Sequence, residues 1–133
     1  MRRVFADTYY FLAIINPRDK AHSRALALSA ARDLGLVTTE WVLTELGDAL
    51  CRISGRHTFI WTLKDLQAEP ESEIIPASAE LFKQGFDLYA SRLDKEWSLT
   101  DCISFVSMRQ HGLTEVLTGD RHFEQAGFKA LLV

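Results

Sequence analysis

Two aspartates of this 133-residue chain follow short apolar runs closely, at the positions where parallel strands would end. Asp7 comes directly after residues 4–6, and Asp120 comes soon after residues 115–117. Taken alone, Asp7 is an ordinary helix N-cap or turn residue, and Asp120 is an ordinary turn acid beside Gly119. Taken together, they place two carboxylates beyond the carboxyl ends of predicted strands, where α/β proteins usually bind their ligands.

Two further acids lie in segments with helical periodicity. Glu45 lies on the flank of the apolar stripe of residues 40–53, so it could be partly buried or could be a solvated helical glutamate. Asp101 follows Ser98 and Thr100 in the first turn of a predicted helix, where the helix dipole favours an acid without any ligand. Position alone does not decide the role of either residue.

A shared cleft would give these four acids a common chemistry. Their like charges repel at close range, so a bound cation is expected. Oxygen ligands favour a hard ion such as Mg²⁺ or Mn²⁺ over Zn²⁺. Such ions bind phosphates and stabilise both the attacking and the leaving oxygen of an in-line displacement, which predicts a phosphodiester substrate. None of the histidines shows a zinc-binding spacing: His22, His57, His111 and His122.

Composition and charge restrict the class of protein. The chain is 47% hydrophobic and 25% charged, which is typical of a folded globular protein, and its length predicts one domain over residues 1–133. Its net charge of −3 argues against a protein that holds nucleic acid by bulk positive charge. Cys51 and Cys102 form no metal-binding pattern and are predicted to be reduced and buried. No signal peptide or membrane span is predicted, so a cytoplasmic protein is expected.

Short apolar runs alternate with segments of helical periodicity along the chain. The runs that predict buried strands are residues 4–6, 36–38, 73–75, 115–117 and 129–133. The segments that predict helices are residues 20–34, 40–53, 58–66, 77–90 and 101–111. This alternation indicates an α/β fold with a mostly parallel sheet covered by helices on both faces. Residues 68–76 are polar and bounded by proline, as a connecting loop would be.

Four stretches of the chain, in this order and spacing, resemble the motifs of the PIN domain and especially of its VapC-like toxin branch. They are residues 4–8 (VFADT), 44–46 (TEL), 99–105 (LTDCISF) and 117–123 (LTGDRHF). The last two are the most specific. The resemblance extends from residue 4 to residue 133, which is nearly the whole chain.

The resemblance implies a three-layer α/β/α fold whose five-stranded sheet has the order 3-2-1-4-5. It implies a metal-dependent endoribonuclease that cleaves single-stranded or structured RNA with one or two divalent ions. In that interpretation the ions are held by Asp7, Glu45, Asp101 and Asp120. Hydroxyl side chains that support the acids or the metal's water molecules would be Thr8, Ser98 and Thr118. The resemblance also implies a toxin that a small antitoxin protein inhibits, and a homodimer.

Some residues lie outside the matching motifs. Asp48 and Asp94 are close in sequence to Glu45 and Asp101, and either could replace a ligand or add one. Because the net charge is negative, RNA affinity would depend on the basic residues nearest the acids, although any one of them is also an ordinary surface charge. They are Arg52, Arg56, Arg92, Lys95 and Arg121.

Trp41 and Trp97 flank motif positions and could stack on bases, but core packing is the stronger expectation for both. Other classes fit less well. Aspartyl-phosphate phosphatases need a second acid two residues after the first, where this chain has Tyr9. Response-regulator receivers need an acidic pair beside the first strand, and Asp7 has no acidic neighbour. The remaining alternative is a PIN-fold module that binds RNA or protein without turnover, and the presence of all four acids argues against it.

Overall fold

A five-stranded sheet forms the centre of the molecule. In the computed structural model, which describes residues 1–31 and 33–133, the strand order is 3-2-1-4-5 and every pair of neighbouring strands is parallel. The predicted order is therefore confirmed, and the sheet expected to be mostly parallel is parallel throughout its described strands. The strands are β1 (Arg2–Ala6), β2 (Leu34–Thr39), β3 (Glu73–Ile75), β4 (Glu115–Leu117) and β5 (Lys129–Ala130).

Helices flank the sheet and connect its strands, which confirms the α/β/α class. They are α1 (Thr8–Ile15), α2 (His22–Ser29), α3 (Glu40–Ala49), α4 (Ile53–Ala68), α5 (Ala79–Ser91), α6 (Leu99–Gln110) and α7 (Arg121–Gln125). Among the described helices, none combines the length and the apolar character that crossing a membrane requires.

The helix predicted over residues 20–34 is too long. The structure ends α2 at Ser29, and Leu34 already belongs to β2, where it pairs with Arg2 of β1. Residue 32 of the predicted helix lies outside the described residues. Pairing with β1 accounts for the difference, because tertiary contacts override weak local propensity.

The helix predicted over residues 40–53 is also too long. The structure ends α3 at Ala49 and begins α4 at Ile53, which is 92% exposed instead of lying on the inward stripe. A Cβ atom on Gly55 would lie 2.8 Å from the carbonyl oxygen of Leu50, so the glycine permits the tight turn between the two helices. Cys51 lies in this turn and is exposed, so its predicted burial is wrong, whereas Cys102 is buried.

The helix predicted over residues 58–66 is too short, because α4 spans Ile53–Ala68, and the remaining differences concern short elements. The sequence patterns did not predict α1 or α7, and the loop predicted over residues 68–76 contains β3. The last strand covers only Lys129–Ala130 of the predicted residues 129–133. The eight residues of α1 are almost all apolar, so they show no polar face from which a helical period could be read.

Aromatic packing fixes α6 and α7 relative to each other. Phe105 of α6 packs edge-to-face on Trp97 and on Phe123 of α7, with ring centroids 5.0 Å and 4.9 Å apart. The indole N–H of Trp97 donates a hydrogen bond of 2.9 Å to Gln125. Trp97 is therefore a core residue, as predicted, and Trp41 is half-buried against the same core. This packing matters because α6 carries Asp101 and α7 begins directly after Asp120.

Candidate active site

Asp7 and Thr118 meet at the carboxyl ends of the two central strands. The parallel pairing of β1 with β4 sets Ala6 beside Leu117, so the residues that follow both strands lie side by side. Asp7 is buried, with 7% of its surface exposed, and its carboxylate accepts a hydrogen bond of 2.9 Å from the hydroxyl of the fully buried Thr118. Asp7 therefore lies beyond the carboxyl ends of the strands, where α/β proteins usually bind their ligands.

Thr118 also links Asp7 to Asp120. The Thr118 hydroxyl oxygen accepts a hydrogen bond of 3.1 Å from the backbone N–H of Asp120. Asp120 caps α7, because its Oδ1 accepts a 2.9 Å hydrogen bond from the backbone N–H of His122. A Cβ atom at Gly119 would lie 2.5 Å from the Tyr9 ring, so a glycine is needed for this close approach.

Asp101 is held in a capping box at the start of α6. The Ser98 hydroxyl accepts a hydrogen bond of 2.9 Å from the backbone N–H of Asp101. In return, Oδ2 of Asp101 accepts one of 3.1 Å from the backbone N–H of Ser98. The structural role that the sequence suggested for Asp101 is thus real, and it also fixes the orientation of the carboxylate.

His122 joins these two aspartates and was missed as a site residue from the sequence. Its Nδ1 lies 3.2 Å from Oδ2 of Asp101 and 3.4 Å from Oδ1 of Asp120. One donor atom from each of the three residues lies within 4.8 Å of the other two. A search for zinc-binding spacings does not reveal a single histidine beside two aspartates. The available signal was the position of His122 two residues after Asp120, at the start of a helix.

Glu45 approaches the site through a different hydroxyl. Its carboxylate accepts a hydrogen bond from the Thr8 side chain, and Thr8 is the residue that follows Asp7. Glu45 is exposed, which agrees with the solvated alternative and not with partial burial. Within the described residues, the close group of donor atoms contains Asp101, Asp120 and His122 but neither Asp7 nor Glu45.

Burial and like charges raise the pKa of two of the acids, Asp7 and Asp101. Burial raises the pKa of Asp7 to about 7, and the charges of Asp101 and Glu45 add to the rise. The hydrogen bonds that Asp7 accepts from Thr118 and from the Thr8 backbone oppose it. Burial also raises the pKa of Asp101, and the charge of Asp120 adds to that effect. Ionising these acids is therefore energetically unfavourable, and a bound cation would offset the repulsion between them.

The other acids singled out from the sequence have different surroundings. Asp94 forms a paired hydrogen bond with Arg92 at 3.0 Å, and this contact lowers its pKa to about 2. Asp48 is exposed and lines surface grooves beside Gly47 and Phe59. Neither residue is in the close group formed by Asp101, Asp120 and His122.

The basic residues predicted to contact RNA lie on the surface or near it. The Arg92 guanidinium lies over the Trp97 ring at 5.0 Å, and Lys95 lies 3.9 Å from Asp94. Arg56 donates a 3.0 Å hydrogen bond to the backbone of the turn between α3 and α4. Arg52 and Arg121 are exposed at the starts of α4 and α7. Of these, Arg121 is the one adjacent in sequence to a predicted metal ligand.

Comparison with known proteins gives a consistent assignment. The family model described as the PIN domain matches residues 4–129. The 23S rRNA-specific endonuclease VapC20 of two Mycobacterium tuberculosis strains is 26% identical over 125 residues, which is 94% of this chain and 95% of the relative.

Solved structures have the same fold. The crystal structure of Mycobacterium tuberculosis VapC20, described as a Sarcin-Ricin loop cleaving toxin, superposes with a TM-score of 0.83 at 26% identity over 94% of this chain and 95% of that one. VapBC2 from Rickettsia felis, bound to a DNA fragment from their promoter, gives a TM-score of 0.69 at 15% identity over 96% of both chains. The second likeness concerns the fold alone.

Proposed function

This chain belongs to the PIN-domain family, and we propose that it is a divalent-metal-dependent endoribonuclease of the VapC type. Its ions would be held by Asp7, Glu45, Asp101 and Asp120. The observation that carries the proposal is the linkage of Asp7 and Asp120 through Thr118, with Asp101 near enough to raise the pKa of Asp7.

The donor set fits a hard divalent cation. Carboxylate oxygens predominate, and the raised pKa values of Asp7 and Asp101 are what uncompensated like charges in a buried position produce. We propose Mg²⁺ or Mn²⁺. When bound, such an ion supplies the positive charge that activates water and stabilises the oxygens of the phosphodiester undergoing displacement.

Three hydroxyl residues would hold the acids in position for this role. Thr118 donates to Asp7, Thr8 donates to Glu45, and Ser98 forms the capping box with Asp101. Hydrogen bonds of this kind fix the orientation of metal-binding carboxylates, and losing one typically costs about 10-fold to 100-fold in metal affinity or activity. The predicted supporting role of all three residues therefore has a specific contact behind it.

RNA is the substrate class that fits the site and the relatives. Because VapC20 is named for ribosomal RNA and for the sarcin-ricin loop, ribosomal RNA is the first substrate to test on this chain. The exposed Arg121 could meet a phosphate next to the site, and Arg52, Arg56, Arg92 and Lys95 are further candidates. Cleavage of cellular RNA would place the activity in the cytoplasm.

The same relationship supports a toxin role. The VapC20 structure is described as that of a toxin, and we extend that role to this chain, with a small antitoxin as its protein partner. A homodimer is a further prediction from the family.

Cleavage of RNA by the purified protein tests the function. We expect turnover in Mg²⁺ or Mn²⁺, loss of turnover in EDTA, and a loss of about 100-fold or more in Asp7→Asn and Asp101→Asn, since each removes a charge near the phosphate. Asp87→Asn is the matched control, because Asp87 is an exposed acid of α5 that pairs with Lys83. Undiminished cleavage in EDTA would exclude the metal mechanism. RNA binding without any cleavage would favour the binding-module alternative.

A further inference from the structure

His122 has contacts that the four-acid set does not explain. Its Nδ1 faces one carboxylate oxygen of Asp101 at 3.2 Å and one of Asp120 at 3.4 Å. The side chain is 31% exposed to solvent, so the ring borders solvent on one side and the two acids on the other. An imidazole between two carboxylates can be a hydrogen-bond donor or a third ligand of the ion they bind.

The distances from Nδ1 to the two carboxylate oxygens match those between adjacent ligands around an ion. An octahedral ion with bonds of about 2.1 Å places neighbouring ligand atoms about 3.0 Å apart. The distances of 3.2 Å and 3.4 Å from Nδ1 to the two carboxylate oxygens are close to this value. Nδ1 therefore already lies at nearly the ligand-to-ligand distance from both oxygens, and the group of three donor atoms is contained within 4.8 Å.

Both carboxylate oxygens are already held by backbone groups. Oδ2 of Asp101 accepts from the N–H of Ser98 at 3.1 Å, and Oδ1 of Asp120 accepts from the N–H of His122 at 2.9 Å. Because a carboxylate oxygen has two lone pairs, each retains one for a further partner. These contacts keep the two oxygens in place even if the imidazole no longer donates to them.

The start of α7 fixes the main chain from which the imidazole extends. Phe123, the residue after His122, is fully buried and packs on Phe105 of α6 with ring centroids 4.9 Å apart. The backbone N–H of His122 is bound by Asp120. The main chain that carries the ring is therefore held in place, and the ring itself faces the two carboxylate oxygens, as a preorganised ligand requires.

We propose that Nδ1 of His122 is a ligand of the ion bound by Asp101 and Asp120, and that it makes the site prefer Mn²⁺ over Mg²⁺. This inference rests on the proposed function and extends it to metal selectivity. Mg²⁺ strongly favours oxygen ligands, whereas divalent ions of the first transition series also accept imidazole nitrogen. A nitrogen in an otherwise carboxylate site therefore favours Mn²⁺.

Electron spin-echo envelope modulation of the Mn²⁺-loaded protein tests the inference directly, because it detects nitrogen bound to the ion without any measurement of activity. We expect nitrogen coupling in the wild type and its loss in His122→Ala. The capping contact to Asp120 uses the backbone N–H of His122, so this variant keeps it. The matched control is His57→Ala, because His57 is exposed on α4 and stacks on Trp61. This control should keep the coupling.

A second measurement compares metal affinities by calorimetry with Mn²⁺ alone and Mg²⁺ alone. In His122→Ala the preference for Mn²⁺ over Mg²⁺ should fall by about 10-fold or more. Wild-type protein labelled with ¹⁵N-histidine provides a test that needs no variant, since the coupling pattern should change with the isotope.

The outcomes separate this inference from the proposed function. Mn²⁺ bound without nitrogen coupling, or coupling that persists in His122→Ala, would overturn the ligand role. Either result would leave His122 as a hydrogen-bond partner of Asp101, and the proposal of metal-dependent RNA cleavage would remain valid. A wild-type protein that binds no divalent ion would overturn both proposals.

Discussion

Asp7 is the most buried of the four acids, and its ionisation is coupled to folding. Its pKa in the folded protein is about 7, well above its ordinary value of 3.8, mainly because of burial. Without metal, the unfolded chain therefore loses this proton at lower pH than the folded protein does. Below the pKa that Asp7 has in the unfolded chain, its burial does not lower the free energy of unfolding. As pH rises from that value towards the pKa of Asp7 in the folded protein, the free energy of unfolding falls.

The first prediction is that metal-free wild type loses stability between about pH 4 and about pH 7, whereas Asp7→Asn does not show this part of the loss. The difference between the two proteins should approach a few kcal/mol, because one pKa unit corresponds to about 1.4 kcal/mol. Urea unfolding in EDTA across this range measures it. The pKa of Asp101 is also raised, and because its charge acts on Asp7, the difference between the two proteins includes the repulsion between these two acids as well as the burial of Asp7.

A wild type whose stability rises over this pH range relative to Asp7→Asn would contradict the raised pKa. Saturating Mn²⁺ should reverse the sign for the wild type, because the ion binds the ionised form. Binding at ~100 times the dissociation constant adds about 2.7 kcal/mol of stability. The stabilisation by Mn²⁺ should be smaller in Asp7→Asn, because this variant lacks one ligand charge.

At the scale of the elements, the sequence predicted what depends on regular patterns. The apolar runs of β1 and β4 located the central strands, and the hydroxyls before Asp101 located the start of α6. The strand order came from the resemblance to PIN domains rather than from the patterns themselves. Asp7 and Asp120 were correctly placed at neighbouring strand ends because that order sets β1 beside β4.

Features that depend on tertiary contacts were not predicted. The boundary between α3 and α4 depends on the close approach of Gly55 to Leu50, which no periodicity reveals. The place of His122 in the site depends on how the start of α7 meets the start of α6. The exposure of Glu45 could not be read from its position on the flank of a helical stripe, because that flank is open to solvent.

The packing of α5 on α6 gives the second prediction. A Cβ atom at Gly85 would lie 2.3 Å from a side-chain carbon of Ile103, so Gly85→Ala forces the helix that carries Asp101 to move. We expect a loss of about 1 to 3 kcal/mol in unfolding free energy despite the better helix propensity of alanine. Gly47→Ala is the control, since its Cβ would meet only the Phe59 side chain, at 3.2 Å.

A double-mutant cycle with Ile103→Ala, which removes the Cγ1 atom that the new Cβ would meet, tests the cause of this loss. The smaller side chain should recover part of the stability that Gly85→Ala removes, giving a coupling energy of about 0.5 kcal/mol or more between the two positions. Strict additivity of the two substitutions would show that the clash is not the source of the loss.

For the whole molecule, the distribution of charge determines what kind of partner can occupy the site. The chain has a net charge of −3, and its site includes Asp7 and Asp101, whose pKa values are raised by burial and by nearby negative charge. A cationic side chain entering from a partner would relieve the same repulsion as a metal ion. Arginine suits this role best, because its planar guanidinium binds a carboxylate through two parallel hydrogen bonds.

The third prediction is therefore that an antitoxin inhibits this enzyme by placing a basic side chain among the acids, in competition with the metal. Co-purification with the product of the neighbouring gene should give a tight complex that cleaves RNA more slowly than the free protein. Raising the Mn²⁺ concentration should restore part of the activity, because the ion and the side chain exclude each other. Asp101→Asn should bind the same partner more weakly, whereas Asp87→Asn should bind it as the wild type does. A tight complex that cleaves as fast as the free protein would refute inhibition, and an inactive complex insensitive to Mn²⁺ would refute competition at the metal site.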